Sequence, residues 1–159
     1  MELHVRRAER EDADDLIALI TELAHYEKLD PPDEEARRRL LEHGWGDAPR
    51  FEAWIAILDG LAVGYAVLFE TYSSFLARPT LYLEDIFVLP DHRTRGVGYR
   101  LFREVARQAV ERGCGRMEWV CLDWNRAGLS FYERIGARHL SEWMTFRLLP
   151  DQIAALPES

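Results

Sequence analysis

The chain has 159 residues and is short of cysteine, of positive charge and of long apolar runs. Its two cysteines, Cys114 and Cys121, are spaced neither as a CxxC redox pair nor as a zinc knuckle, which predicts reduced thiols and a cytoplasmic location. No apolar run approaches the roughly 18 residues of a membrane span, and the first residues lack the apolar core of a signal peptide, so no membrane partner is expected. The 28 acidic side chains outnumber the 20 basic ones and give a net charge of −8, which argues against nucleic-acid binding because phosphate backbones require clustered Lys and Arg.

Patterns typical of metal and nucleophile sites are missing as well. The five histidines are scattered without the spacing of metal ligands, and no Gly-x-Ser-x-Gly elbow marks a serine hydrolase. The Gly-x4-Gly-Lys-Ser/Thr loop of nucleotide-binding enzymes is also absent. We therefore expect no metal cofactor and neither of these enzyme classes.

The composition favours one folded domain over residues 1–159, because 48% of the side chains are hydrophobic and no linker interrupts them. Alternating and helical spacing predict the order βααβββαβαβ, which ends on a strand over residues 143–148. A helix joins the strands at 81–89 and 117–122, and a crossover of this length implies that these strands are parallel neighbours. The fold class is thus α/β (α+β), with a mixed, mostly antiparallel central sheet flanked by helices.

Residues 82–99 form the most informative segment, in which a strand, a short charged loop and a glycine pair precede a helix. Gly96 and Gly98 let the backbone approach a ligand closely, and amides at a helix N-terminus attract anions. Arg93 and Arg95 add full positive charges to an otherwise acidic chain. A dinucleotide fingerprint would need a third glycine at Leu101, so the pattern predicts a different pyrophosphate ligand.

The motif Arg93-Thr94-Arg95-Gly96-Val97-Gly98 resembles the Arg/Gln-x-x-Gly-x-Gly/Ala signature of the GCN5-related N-acetyltransferases (GNAT). The segments at 22–27, 82–88, 124–125 and 131–137 resemble the subgroup of spermidine/spermine and thialysine acetyltransferases. This resemblance implies acetyl transfer from acetyl-CoA to an amine by direct attack, a parallel strand pair at the cofactor cleft, and a homodimer.

The resemblance also assigns roles to residues. Those implied to bind the donor are Ile86, Phe87, Val88, Arg93, Thr94, Arg95, Gly96, Val97, Gly98, Tyr99, Asn125, Arg126, Ala127 and Gly128. Tyr132 occupies the position of the general acid that protonates the leaving thiolate. The alternative for Tyr132 is core packing, since it lies on an amphipathic helix.

On the acceptor side, Glu84 and Asp85 are adjacent on a strand, so we expect only one of them to face the cleft. The resemblance selects Glu84 to bind the amine and to take its proton, directly or through water, and leaves Asp85 to bond neighbouring backbone. Further acceptor residues implied by the resemblance are Tyr26, Glu27, Glu118, Trp119 and Val120.

Three functions remain open at this point. The first is acetylation of a small cationic amine, such as a polyamine, a diamine or a lysine-like acceptor, which the acidic residues favour. The second is a protein or peptide N-acetyltransferase, and the third is a non-catalytic acyl-CoA-binding sensor. The charge run Arg37-Arg38-Arg39 is interpreted as a solvated helix face.

Overall fold

The computed structural model describes residues 1–159, which divide into two compact units, Met1–Val120 and Cys121–Ser159. The strands are β1 (Leu3–Arg7), β2 (Glu52–Leu58), β3 (Leu61–Ser73), β4 (Arg78–Val88) and β5 (Arg116–Glu118). The helices are α1 (Ala13–Tyr26), α2 (Glu34–Trp45), α3 (Val97–Glu111), α4 (Arg126–Arg134) and α5 (Pro150–Ala154). No helix combines the length and the apolar character that crossing a membrane requires.

The first unit contains a five-stranded sheet in the order β1-β2-β3-β4-β5. The first three pairings are antiparallel. β4 and β5 are parallel because α3 carries the chain back across the sheet between them, as the sequence predicts. The structure thus confirms the mixed, mostly antiparallel α/β architecture.

Helices cover both faces of this sheet. Leu16 and Leu19 of α1 pack in a core cluster with Ile55 and Tyr65. On the other face, Val97 at the start of α3 packs with strand residues that include Val88. Alternate strand residues contribute their side chains to the two clusters, as the two-residue period of a strand requires. This packing fixes the end of β4 and the start of α3 beside each other.

A β-bulge interrupts the pairing of β3 with β4. Val67 is opposite Asp85 and Leu68 is opposite Leu83, so Glu84 has no partner residue across the ladder. Bulges insert one extra residue, bend the strand and change the direction in which nearby side chains point. The regular alternation assumed from the sequence therefore fails at this position.

Two strands predicted from the sequence differ from those observed. β5 ends at Glu118, well before residue 122. Residues 143–148 form no strand. Three of their apolar side chains, Trp143, Met144 and Phe146, are strongly exposed. A strand needs a neighbour to satisfy its backbone groups, and the five-stranded sheet does not include this segment.

Candidate active site

The loop between β4 and α3 presents a run of unused hydrogen-bond donors. The six backbone amides of residues 94–99 form no backbone hydrogen bond of ordinary distance and angle, and the next amide, that of Arg100, donates to the carbonyl of Gly96 at 3.0 Å. The first amides of a helix lack intrahelical acceptors and carry the positive end of the helix dipole. This loop is therefore built to receive an anion with several oxygens, which fits the pyrophosphate of coenzyme A.

Backbone conformation explains the first glycine of the motif. Gly96 is the N-cap of α3 and has a φ of 77°, in the left-handed region that glycine adopts without strain. Thr94 also has a positive φ, of 66°. A Cβ atom at Gly98 would lie 3.8 Å from a Val88 methyl group, an ordinary contact, so packing within the chain does not require glycine there.

The two loop arginines differ in their surroundings. Arg93 donates its Nε–H to the Val88 carbonyl at 2.9 Å, and its guanidinium lies 4.8 Å from the Tyr26 ring centre and 5.4 Å from that of Phe87. Arg93 thus joins the end of α1 to the end of β4, and phosphate binding by this residue stays a prediction. Arg95 is exposed and forms no ion pair, so its charge is available at the loop.

The edge of β4 that faces β5 is only partly paired. Pairing covers Thr80, Leu81 and Tyr82, and β5 ends opposite Tyr82. Residues 83–88 of β4 therefore pair as a strand only with β3. Unpaired strand edges bind extended ligands through backbone hydrogen bonds, and this edge includes Ile86, Phe87 and Val88.

Both acidic residues of β4 line one cleft of about 440 Å³, which corrects the expectation that only one could do so. The bulge at Glu84 is the physical reason, because it breaks the alternation that would send Glu84 and Asp85 to opposite faces. The cleft has the size of a small-molecule site. Glu84 is exposed and Asp85 is partly buried.

Asp85 accepts a hydrogen bond from the buried Tyr65 hydroxyl at 3.1 Å. The expected bond to neighbouring backbone is therefore corrected to a bond with a side chain on β3. Burial, the largest cause, raises the pKa of Asp85 to about 6, while the bond from Tyr65 opposes the rise. The negative charges of Glu84 and Glu27 add to it. Burial also raises the pKa of Tyr65, so this hydroxyl stays protonated and donates.

The end of α1 contributes a third carboxylate to this acidic region. Burial raises the pKa of Glu27, and the charge of Glu84 adds to the rise. The neighbouring Tyr26 ring packs near Phe87, with 6.1 Å between ring centres. Glu27, Glu84 and Asp85 thus repel one another electrostatically, and a cation placed among them would relieve that repulsion.

The residues predicted on β5 have other partners in the first unit. Glu118 forms an ion pair with Arg116 at 3.3 Å. The Trp119 ring lies edge-on to Phe102 of α3, with centres 5.2 Å apart. Val120 is mostly exposed. Contact of these three residues with an acceptor stays a prediction.

Asn125, Arg126, Ala127, Gly128 and Tyr132 all belong to the second unit. The Asn125 amide oxygen accepts the Gly128 N–H at 3.1 Å and caps α4, as predicted. A Cβ atom at Gly128 would lie 2.6 Å from the Asn125 amide nitrogen, so a larger residue there would require the Asn125 side chain to shift. The Tyr132 ring is partly buried, 5.7 Å from the ring centre of Phe131.

Most of the residues that line the cleft were not predicted from the sequence. They include five apolar side chains that come from α1, α2, β3 and the loop before β2: Ile20, Leu40, Phe51, Val67 and Phe69. The separation of Val67 and Phe69 by two residues on a strand was the available signal. No group of three or more His, Cys, Asp or Glu residues is arranged to hold a metal ion.

The sequence profile of the acetyltransferase (GNAT) family matches residues 14–137. The chain is 33% identical over 154 residues to the thialysine N-epsilon-acetyltransferase of Mus musculus, with 90% of each protein covered. It is 42% identical over 98 residues to the L-ornithine N5-acetyltransferase of Arabidopsis thaliana, which covers 62% of this chain and 43% of that protein.

Among solved structures, an integron cassette protein of V. cholerae has the same fold, with a TM-score of 0.84 and 22% identity over 100% of this chain and 99% of that one. The family match spans most of the sequence and includes the β4–α3 loop. The chain therefore belongs to the GNAT family of acetyltransferases, enzymes that transfer an acetyl group from acetyl-CoA, here to an amine acceptor.

Proposed function

We propose that this enzyme acetylates the primary amine of a small cationic acceptor, within the class of polyamines, diamines and lysine-like compounds. The proposal rests on one observation: two features of opposite charge lie at β4, within the same unit. The strand leads into six free amides at residues 94–99, and its bulge brings Glu84 and Asp85 into one small cleft. The first feature suits a pyrophosphate, and the second suits an ammonium group.

The donor substrate is held mainly by backbone groups in this proposal. The amides of residues 94–99 and the charge of Arg95 bind the pyrophosphate, and the open edge of β4 at Ile86, Phe87 and Val88 binds the pantetheine arm. The family resemblance further assigns coenzyme binding to residues 125–128, at the start of α4. Because most of these donors are amides, binding depends on loop conformation more than on particular side chains.

The acceptor amine must lose a proton before it attacks. Glu84, exposed at the bulge, takes that proton directly or through water, and Glu27 and Asp85 hold the cation nearby. The amine nitrogen then forms a bond to the acetyl carbonyl carbon, and the bond from that carbon to sulfur breaks. Tyr132 donates its phenolic proton to the leaving thiolate, so that coenzyme A departs as the thiol. The proton that the acetylated nitrogen then loses restores the phenol, so the enzyme gains only the proton taken by Glu84.

The test compares Tyr132→Phe with the wild-type enzyme in a steady-state assay of coenzyme A release. Tyr72→Phe is the matched control, because Tyr72 is exposed and does not line the cleft. We expect Tyr132→Phe to bind acetyl-CoA normally and to lose 10²–10⁴-fold in kcat, the usual contribution of a positioned proton donor. Unchanged turnover would remove Tyr132 from the mechanism.

The enzyme is further proposed to be a cytoplasmic homodimer. The exposed side chains of Trp143, Met144 and Phe146 support self-association, since exposed apolar groups close together in sequence favour contact with another protein surface. Light scattering of the purified chain should give twice the monomer mass of 18.5 kDa. The spacing of the two cysteines supports a reducing compartment.

A further inference from the structure

The acceptor cleft has a basic end that the proposed reaction does not use. Besides Glu84 and Asp85, its walls include Arg39, His43 and Arg50. Arg39 and His43 are four residues apart on α2 and therefore lie on the same face of the helix. The Arg50 amide donates to the His43 carbonyl at 2.7 Å, which holds Arg50 beside that helix turn.

These basic groups are poorly neutralised within an acidic chain. The Arg50 guanidinium forms no ion pair, although the chain has 28 carboxylate side chains. Arg39 has one ion-pair partner, Glu35, at 3.7 Å, and more than half of each side chain is exposed. Exposed pairs of this kind contribute little, so both guanidinium groups remain available for an anionic ligand.

The rest of the charge run on α2 behaves differently. Arg38 pairs with Glu35 at 2.8 Å, and Arg37 donates to the Pro32 carbonyl at 3.1 Å. Neither side chain lines the cleft. The interpretation of residues 37–39 as a solvated face therefore suits Arg37 and Arg38 but not Arg39.

We propose that Arg39 and Arg50 form a carboxylate-binding subsite of the acceptor cleft, with His43 as a further donor. This inference rests on the proposed function and narrows its substrate class to diamino acids. The terminal amine lies at Glu84 and Asp85, the methylene chain lies against apolar walls that include Phe51 and Phe69, and the α-carboxylate binds the guanidinium groups. A diamine or polyamine brings the same second ammonium group toward these arginines but lacks the carboxylate that neutralises it in a diamino acid.

The experiment uses two pairs of acceptors that differ only by the carboxylate: ornithine with putrescine, and lysine with cadaverine. We expect the wild-type kcat/KM to favour the amino acid of each pair by at least tenfold. Arg50→Gln should raise the KM for ornithine by roughly 10–100-fold, the value of a charge-assisted hydrogen bond, and should leave the KM for putrescine unchanged. Arg38→Gln removes the same charge from α2 outside the cleft and should change neither constant.

Two results would overturn the subsite. One is equal use of ornithine and putrescine by the wild-type enzyme; the other is an Arg50→Gln effect of the same size on both acceptors. Absence of turnover with every amine would instead contradict the proposed function. In that case, calorimetric titration of the protein with ornithine tests the subsite independently of turnover. Ornithine binding that is at least tenfold weaker in Arg50→Gln supports the subsite, and the absence of ornithine binding contradicts it.

Discussion

Replacing the Asp85 carboxylate by a neutral amide, Asp85→Asn, should stabilise the protein at neutral pH and have little effect on its stability at acidic pH. The folded protein raises the pKa of this carboxyl from 3.8 to about 6, chiefly through burial. A raised carboxyl pKa means that the folded state binds the proton more tightly than the unfolded state, so stability falls as pH rises from about 4 to about 6. The shift corresponds to roughly 3 kcal/mol once both states are ionised.

The amide oxygen of the substituted side chain can still accept the Tyr65 hydroxyl, so the substitution removes the charge and keeps a hydrogen bond. Urea unfolding, followed by tryptophan fluorescence at constant ionic strength, measures the free energy of unfolding of both proteins. We expect the variant to exceed wild type by about 1–3 kcal/mol at pH 7.5, and the difference to shrink toward zero near pH 4. A difference that does not vary with pH would refute the reasoning.

The partner hydroxyl provides a second measurement on the same pair. Tyr65→Phe removes the hydrogen bond that holds down the pKa of Asp85, so that pKa should rise above 6 and the fall in stability should extend to higher pH. A profile that moves toward lower pH in this variant would show that the hydroxyl does not stabilise the ionised carboxylate.

Two further predictions concern donor binding and the cap of α4. Arg95→Gln should raise the Kd for coenzyme A by roughly tenfold at low salt, because one charge-assisted bond to phosphate is lost. Arg103→Gln, on the exposed face of α3, should leave the Kd unchanged. Equal Kd values for the two variants would place the phosphate elsewhere. Asn125→Ala should remove the side-chain oxygen that accepts the Gly128 N–H and reduce the free energy of unfolding by about 1 kcal/mol, the value of a helix cap. Circular dichroism during urea unfolding checks this, and an unchanged midpoint would contradict it.

The parts of the fold that local patterns specify were predictable from the sequence. The strand, loop and helix at residues 82–99 follow from alternation, glycine chemistry and helical spacing. The parallel pairing of β4 and β5 follows from the length of the crossover between them. Asn125 was predictable as a cap, because its short side chain can accept the amide three residues later.

Features that depend on pairing between distant segments were not predictable. The bulge at Glu84 arises from the register of β3 against β4, and no local signal in residues 81–89 marks it. The same register brings Tyr65 to Asp85, twenty residues away in sequence. Residues 143–148 have an apolar strand pattern, but a pattern cannot supply the neighbouring strand that pairing requires.

The central claim is that this chain moves an acetyl group from acetyl-CoA to the terminal amine of a small cationic acceptor. Mass spectrometry of reactions containing the purified enzyme, acetyl-CoA and either ornithine, lysine, putrescine or spermidine tests it most directly. The account predicts one acetylated amine product for each coenzyme A thiol released, with ornithine or lysine preferred. Release of coenzyme A without any acetylated amine, or no release with any acceptor, would contradict it.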